Sequence, residues 1–402
     1  MIAPRVALFA DCFHEVNGVA RTCREFCAFA RRRGYPLLAI ASGPPDSAGP
    51  SSAGGLIELP CSAASFALDA DLRFDLLFLR HRRRVRAALE EFRPDLVHIT
   101  GPGHLGILGA LLAHELRVPL AASWHTNVHE YAGRRLAKML RFAPSRVGTA
   151  AGAWAERDAL AATLRFYRLA RLTFAPNPEL VQLLRESTGR TSYLMPRGID
   201  LSGFSPRYRK RHDRCFLIGY VGRLTTEKNL RVLVDAERAL RDAGVRDYRF
   251  LVVGRGSERD WLAANLMQAE FPGVLLGDGL ARAYASLDAF VFPSETDTFG
   301  NVVQEAFASA VPAIVADRGG PRFLVQNGVN GFRCRDAAEF SAALLQLYGD
   351  RALLDSLREG ALASVRNRSW DAVFEGVYRH YALCCRAPDQ GREEAYPEMA
   401  LR

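Results

Sequence analysis

The sequence predicts an α/β protein built from two Rossmann-like domains, and three observations carry that prediction. Short apolar runs alternate with amphipathic segments along most of the chain, the pattern of parallel strands joined by helices. The alternation runs once, breaks at a turn-rich, strongly basic stretch over residues 195–213, and starts again. At 402 residues the chain is too long for one ordinary core and suits two domains. Open sheets of this kind bind ligands beyond the carboxyl ends of their strands, so two facing domains are expected to enclose an interdomain cleft. The expected boundaries are 1–196, 197–371 and a final segment, 372–402.

The first series opens at residues 6–10, Val-Ala-Leu-Phe-Ala, an unbroken apolar run of the sort a strand buried on both faces requires. A polar loop over 11–18 leads to a helix over 19–33 that Gly34 ends. Residues 37–41 read as the second strand, and 44–55, rich in Pro, Gly and Ser, as a flexible loop. Strands over 95–99 and 120–124 flank a helix over 105–116, and a strand at 173–175 precedes a helix from Pro178. The second series begins with the apolar run 216–221, a helix over 229–243, a strand at 250–253 and a helix from Glu258. A short strand over 274–276, a helix over 281–287, and strands at 289–292 and 313–316 follow. Beyond Phe340 the chain reads as helical.

Between the last two strands lies the most informative stretch, 292–312. From Asn301 the period becomes helical, with Val302, Val303, Ala306, Phe307 and Ala310 on the apolar face and Pro312 beyond its end. Glu305 sits among those apolar neighbours, where an unpaired carboxylate is costly, so it requires a partner. Asp297 places a second acid in the loop before the helix. At a rise of about 1.5 Å per residue, Glu305 lies about 6 Å along the helix, and the two acids suit two parts of one polar ligand. The same spacing fits Asp297 capping the helix and Glu305 pairing with an arginine.

Composition bounds the function. Apolar residues make up 49% and charged residues 24%, as in ordinary soluble proteins. The apolar run after the start is too short for a signal peptide, and none approaches a membrane span, so a cytoplasmic protein is expected. The eight cysteines lack paired metal spacing and read as reduced, mostly structural thiols. A net charge of +9 suits polyanions: nucleic acid, an anionic membrane surface or a phosphorylated small molecule. The densest basic run is Arg80, His81, Arg82, Arg83, Arg84 and Arg86, behind Leu76, Leu77, Phe78 and Leu79. With Arg134, Arg135, Lys138 and Arg141 it suits peripheral membrane contact as well as a solvated face. Nucleic acid is disfavoured, because no binding module accompanies the charge.

Several residues lie where chemistry is expected. Gly18 opens a helix, whose free amides and dipole favour a phosphate. Arg223 and Lys228 follow the first strand of the second series, a fork and a point charge that suit a diphosphate as well as an exposed surface. Gly254-Arg255-Gly256 resembles part of a dinucleotide fingerprint, but Arg259 occupies the third glycine position, and no such motif follows the first strand. A nicotinamide dehydrogenase is therefore disfavoured against a single nucleotide in the second domain. His125 follows a strand directly and suits either a structural or a ligand-lining role. No zinc spacing and no G-x-S-x-G elbow is present, so neither metal nor serine hydrolysis has support.

Taken together the motifs resemble the retaining nucleotide-sugar glycosyltransferases of the GT-B fold, in the group-one, family-four lineage. The resemblance rests on E-V-N-G-V-A-R-T at 15–22, S-W-H-T-N at 123–127, R-G-I-D at 197–200, G-R-L-T-T-E-K-N at 222–229 and S-E-T-D-T-F-G-N-V-V-Q-E-A at 294–306. The last of these looks most like GDP-mannose-dependent α-mannosyltransferases and related lipid glycosyltransferases. The resemblance implies that Arg223 and Lys228 hold the donor diphosphate, with Gly18 closing over it and Gly254 nearby. It places Asp297 near the hydroxyls of the donor sugar with the amides of Phe299, Gly300 and Asn301, Glu305 on the ribose diol, and His125 at the sugar site on the acceptor side. It implies a nucleotide sugar as co-substrate, a lipid or glycan acceptor, no metal, no other cofactor, and a final helix returning to the first domain. A UDP-sugar-dependent lipid glycosyltransferase, a sugar epimerase or phosphorylase on the same fold, and a non-enzymatic nucleotide-sugar-binding protein are the alternatives. Asp297 stands where the family has glutamate, Gly277-Asp278-Gly279-Leu280 looks like a shortened loop, and the acid often found after Gly-Pro-x is absent from Gly320-Pro321-Arg322-Phe323.

Overall fold

The computed structural model describes residues 3–15, 17–43, 55–69, 72–127, 145–211, 213 and 215–386. Most of the loop expected over 44–55, and the basic residues Arg134, Arg135, Lys138 and Arg141, lie outside the described residues. The chain forms two compact units, one of Met1–Pro196 with Val373–Arg402 and one of Arg197–Ala372.

In the first unit the strands are β1 (Val6–Ala10), β2 (Leu37–Gly43), β3 (Leu56–Pro60), β4 (Ser65–Asp69), β5 (Leu72–Asp75), β6 (Leu96–Ile99), β7 (Leu120–Ser123), β8 (Leu172–Ala175) and β9 (Thr191–Leu194). Seven of them make one sheet in the order β3-β2-β1-β6-β7-β8-β9, parallel throughout. Helices α1 (Gly18–Arg33), α2 (Arg82–Phe92), α3 (His104–Glu115), α4 (Ser145–Tyr167) and α5 (Pro178–Thr188) lie between the strands in sequence. β1 is buried along its whole length, which is why it reads as an unbroken apolar run. β4 and β5 pair antiparallel in a separate ribbon. The last helix, Trp370–Arg386, packs into this unit through Phe374, whose ring stacks on Phe26 of α1 at 4.6 Å.

The second unit holds β10 (Phe216–Val221), β11 (Tyr248–Val253), β12 (Ala269–Gly273), β13 (Ala289–Phe292), β14 (Ala313–Ala316) and β15 (Gly331–Cys334). They form a parallel sheet in the order β12-β11-β10-β13-β14-β15. Its helices are α6 (Arg231–Asp242), α7 (Arg259–Asn265), α8 (Gly277–Ser286), α9 (Asn301–Ala308), α10 (Ala337–Gly349) and α11 (Arg351–Val365). Asp288, immediately before β13, is 1% exposed and accepts hydrogen bonds from the Leu217 amide (2.9 Å) and from Arg209 (2.9 Å), Arg211 and Arg358 (2.5 Å).

Two expectations need correction. The strand expected over 274–276 lies at β12 instead, while Val274 and Leu276 are exposed. β12 is an edge strand with one half-buried face, so it tolerates Glu270 and Pro272 and lacks the apolar run of a central strand. Gly277-Asp278-Gly279-Leu280 is not a loop but the first turn of α8, entered through Gly277 at a φ of 52°. The sequence reading also passed over β3–β5, β9, β15 and α4.

Candidate functional site

Eight of the predicted site residues belong to the second unit, six in loops that leave its strands at their carboxyl ends and two, Asn301 and Glu305, in the helix α9. β10 ends at Val221 and gives way to a loop that passes through Arg223 and tightens into a 3-10 turn, Thr226–Lys228. β11 ends at Val253 and leads into Gly254-Arg255-Gly256. The two loops are strapped together by backbone hydrogen bonds, Gly222 N to Val253 O at 3.0 Å, Leu224 N to Arg255 O at 2.9 Å and Glu258 N to Leu224 O at 2.8 Å. Gly254 is required there: a Cβ on it would lie 1.9 Å from the Gly222 carbonyl oxygen, and its φ is 143°. The Tyr220 hydroxyl donates to the Arg223 carbonyl at 2.9 Å and so fixes the loop from beneath.

A third loop follows β13 and carries Asp297. It leads to α9 through Gly300, which sits at a φ of 93° and gives the helix no side-chain cap. Asp297 is therefore not the helix cap. Its carboxylate meets the Lys228 ammonium at 2.7 Å, and Lys228 is only 6% exposed. Burial raises the Asp297 carboxyl, but the Lys228 and Arg223 charges outweigh it and hold it below the ordinary carboxylate value. The guanidinium of Arg223, by contrast, is partly exposed, 3.9 Å from Glu227. The Asp297 carbonyl accepts from the Gly320 amide at 2.7 Å, which ties the loop to the turn after β14.

Glu305 occupies the second turn of α9, 7% exposed, and accepts from the Tyr284 hydroxyl of α8 at 2.9 Å. Phe299 is buried, with the Arg197 guanidinium 5.9 Å from its ring centre, and the Arg197 carbonyl accepts from Gln304 at 3.0 Å. The R-G-I-D segment thus braces the start of α9. At that same end the Oδ1 of Asn301 is buried without a hydrogen-bond partner. Such an orphan acceptor, beside the first amides of an uncapped helix, suits a ligand that donates hydrogen bonds and carries negative charge.

The structure brings Lys228 and Asp297 into contact, and Gly254 into the loop that straps to that of Arg223. It gives Glu305 a partner of its own rather than joining it to Asp297. Gly18 and His125 belong to the first unit. Gly18 is the first residue of α1, where Asn17 already accepts from the Val19 and Ala20 amides. His125 is buried, its Nε2 2.6 Å from the Ser123 hydroxyl, which lies 2.8 Å from His98 Nε2. His98 in turn is hydrogen-bonded to Tyr381, and burial pushes its imidazole down to about 3, so it stays neutral. The sequence reading missed Tyr220 and Tyr284. Tyr284 sits two turns into a helix whose apolar period gives no sign that its hydroxyl would meet a carboxylate. Among the described residues no group of three or more His, Cys, Asp or Glu is placed to hold a metal ion.

Both units are similar to known glycosyltransferases. Residues 16–202 match the family described as Glycosyltransferase Family 4, and residues 215–350 the one described as Glycosyl transferases group 1. A GDP-mannose-dependent alpha-mannosyltransferase of Mycolicibacterium smegmatis is 33% identical, over 94% of this chain and 96% of that protein. One of the same description from Mycobacterium tuberculosis is 32% identical, over 95% of this chain and 97% of its own. Among solved structures, sucrose-phosphate synthase from Thermosynechococcus elongatus superposes with a TM-score of 0.72 at 20% identity, covering 94% of this chain and 98% of that one. That last likeness shows a shared fold, the GT-B arrangement.

Proposed function

We propose, from the premise that this chain belongs to the family 4, group 1 glycosyltransferases, that it transfers mannose from GDP-mannose to a lipid or glycan acceptor. The anomeric configuration is retained and no metal takes part. The observation that carries the reading is the buried Lys228 ammonium held against Asp297, between the Arg223 loop and the open start of α9.

In this reading Lys228 and Arg223 take the donor diphosphate. As the sugar bond breaks, negative charge builds on the leaving diphosphate, and a cation fixed in a site of low dielectric stabilises it more than a solvated one would. Asp297 orients Lys228 and accepts from a sugar hydroxyl. The first amides of α9 face the negative charge, and Glu305, fixed by Tyr284, accepts from the ribose diol. The GDP-mannose dependence of these relatives supports the choice of donor. A thermal-shift panel of GDP, UDP, ADP and their sugars tests it. A ligand at 100 times its Kd adds about 2.7 kcal/mol of stability, and GDP and GDP-mannose are expected to give the largest shifts. A larger shift with UDP or ADP would reverse the choice of donor.

Peripheral contact with an anionic membrane belongs to the same reading. Leu76, Leu77 and Leu79 are 60%, 54% and 49% exposed, and Arg82, Arg83 and Arg84, also exposed, open α2 just behind them. Arg82 pairs with Glu115 at 2.8 Å, and exposed leucines beside exposed arginines suit an interface where apolar and anionic groups adjoin. No described helix is long and apolar enough to cross a membrane. Binding to phosphatidylglycerol vesicles is expected to weaken with salt and to fall about 100-fold or more when all three arginines become glutamate, at about 1 kcal/mol per charge. Binding that ignores both lipid charge and salt would rule this contact out.

A further inference from the structure

A second cluster of reactive groups lies in the first unit, apart from every residue assigned above. Four neighbouring strands, β3, β2, β1 and β6, bring it together at their carboxyl ends. Cys61 follows β3, Ser42 lies near the end of β2, Asp11 follows β1, and His104 opens α3 after β6. The Cys61 sulfur is 3.2 Å from the Ser42 hydroxyl and hydrogen-bonds the His104 imidazole. On its other side, His104 Nδ1 lies 3.4 Å from Asp11 Oδ1, and Asp11 is held by the Leu105 amide at 2.9 Å. His104 and Asp11 are buried, whereas Cys61 is half-buried and so open to a small reagent.

The order Cys, His, Asp is that of an activated nucleophile: a thiol, a base that takes its proton, and a carboxylate that orients the base. We propose that Cys61 is a reactive thiolate, paired with His104 and oriented through Asp11, that is oxidised by peroxides to sulfenic acid. The thiolate sulfur attacks one oxygen of hydrogen peroxide, an S–O bond forms as the O–O bond breaks, and hydroxide leaves. The His104 imidazolium gives its proton to that hydroxide, so the thiol is oxidised and the peroxide is reduced to water.

The surroundings agree. His104 lowers the Cys61 thiol, and the gain exceeds the opposing effect of burial. Burial lowers His104, but Cys61 and Asp11 more than restore it. Other carboxylates face the cluster from neighbouring segments: burial raises the Asp11 carboxyl and Glu15 adds to that, and Asp75, itself bound by Ser62 and Arg80, opposes the thiolate. Cysteines that serve packing behave oppositely. Burial pushes the thiols of Cys27 and Cys385 up to about 11 and that of Cys334 up to about 12.

The test is site-resolved labelling of the full-length protein with limiting iodoacetamide, read by peptide mass spectrometry from pH 5.5 to 9. Cys215, also half-buried and with its thiol raised by burial, is the internal reference. At pH 6.5 Cys61 is expected to label about tenfold faster than Cys215 or more, since the first thiol is lowered and the second raised. Toward pH 9 its rate should level off while that of Cys215 keeps rising about tenfold per pH unit. In His104→Gln the advantage should shrink to about twofold or less, while with hydrogen peroxide and dimedone the wild type should carry the adduct at Cys61. Equal rates for Cys61 and Cys215 at pH 6.5, or peroxide adducts on other cysteines with none on Cys61, would overturn the proposal. The pH profile and the adduct use the unaltered protein, so they decide the matter even if the variant does not fold.

Discussion

Replacing Lys228 with alanine is expected to lower kcat/KM for sugar transfer about 10²–10³-fold, the range found when one preorganised group facing transition-state charge is lost. The side chain is 6% exposed and its ammonium is pinned by Asp297, so the charge is positioned before substrate arrives. The loss should lie mainly in kcat, because charge on the diphosphate grows as the sugar leaves. Asp297 also sets the pH range. Its carboxyl lies below the ordinary value in the folded protein, so its pairing with Lys228 is intact at the ordinary value and fails only as pH falls through the lower folded one. Transfer should therefore show no loss from this pair between pH 5 and 8. Steady-state rates for Lys228→Ala and Lys228→Arg, beside melting temperatures, separate lost catalysis from lost folding. Wild-type kcat/KM in a folded alanine variant would remove Lys228 from the site.

The second large effect is on stability. Asp288→Ala is expected to cost about 3–5 kcal/mol, since removing one member of a buried ion pair leaves its partners uncompensated. Here the partners are Arg209, Arg211 and Arg358, together with the Leu217 amide at the edge of β10. Burial raises the Asp288 carboxyl, but the amide and the arginines outweigh it, leaving it below the ordinary value. A folded-state value depressed in this way contributes stability above the unfolded carboxylate's value, about pH 4. That contribution fades as pH falls through the folded value. Urea unfolding should show the full penalty at pH 7 and a smaller one at pH 3. A penalty independent of pH would mean that Asp288 acts by packing rather than by charge.

The legibility of the fold followed burial. β1, β10 and β13 are enclosed on both faces and appear as apolar runs, so they stood out. β12 did not, because an edge strand can carry Glu270 and Pro272, and the exposed Val274 and Leu276 nearby drew the reading three residues or more along the chain. α9 and the burial of Glu305 could be read from period and chemistry. Its partner Tyr284 could not, because α8 and α9 meet only in the fold. The same holds for Lys228 and Asp297, 69 residues apart, and for the arginines around Asp288. Sequence order shows which groups need partners, while the sheet decides which loops stand side by side.

The most direct test of the central claim is transfer itself. The full-length protein is incubated with GDP-mannose, with and without a bacterial lipid extract, and free GDP and mannosylated product are measured. The account predicts GDP release that depends on acceptor, and a product cleaved by α-mannosidase but not by β-mannosidase. Release of UDP from UDP-sugars with none of GDP from GDP-mannose, or a product cleaved only by β-mannosidase, would contradict it.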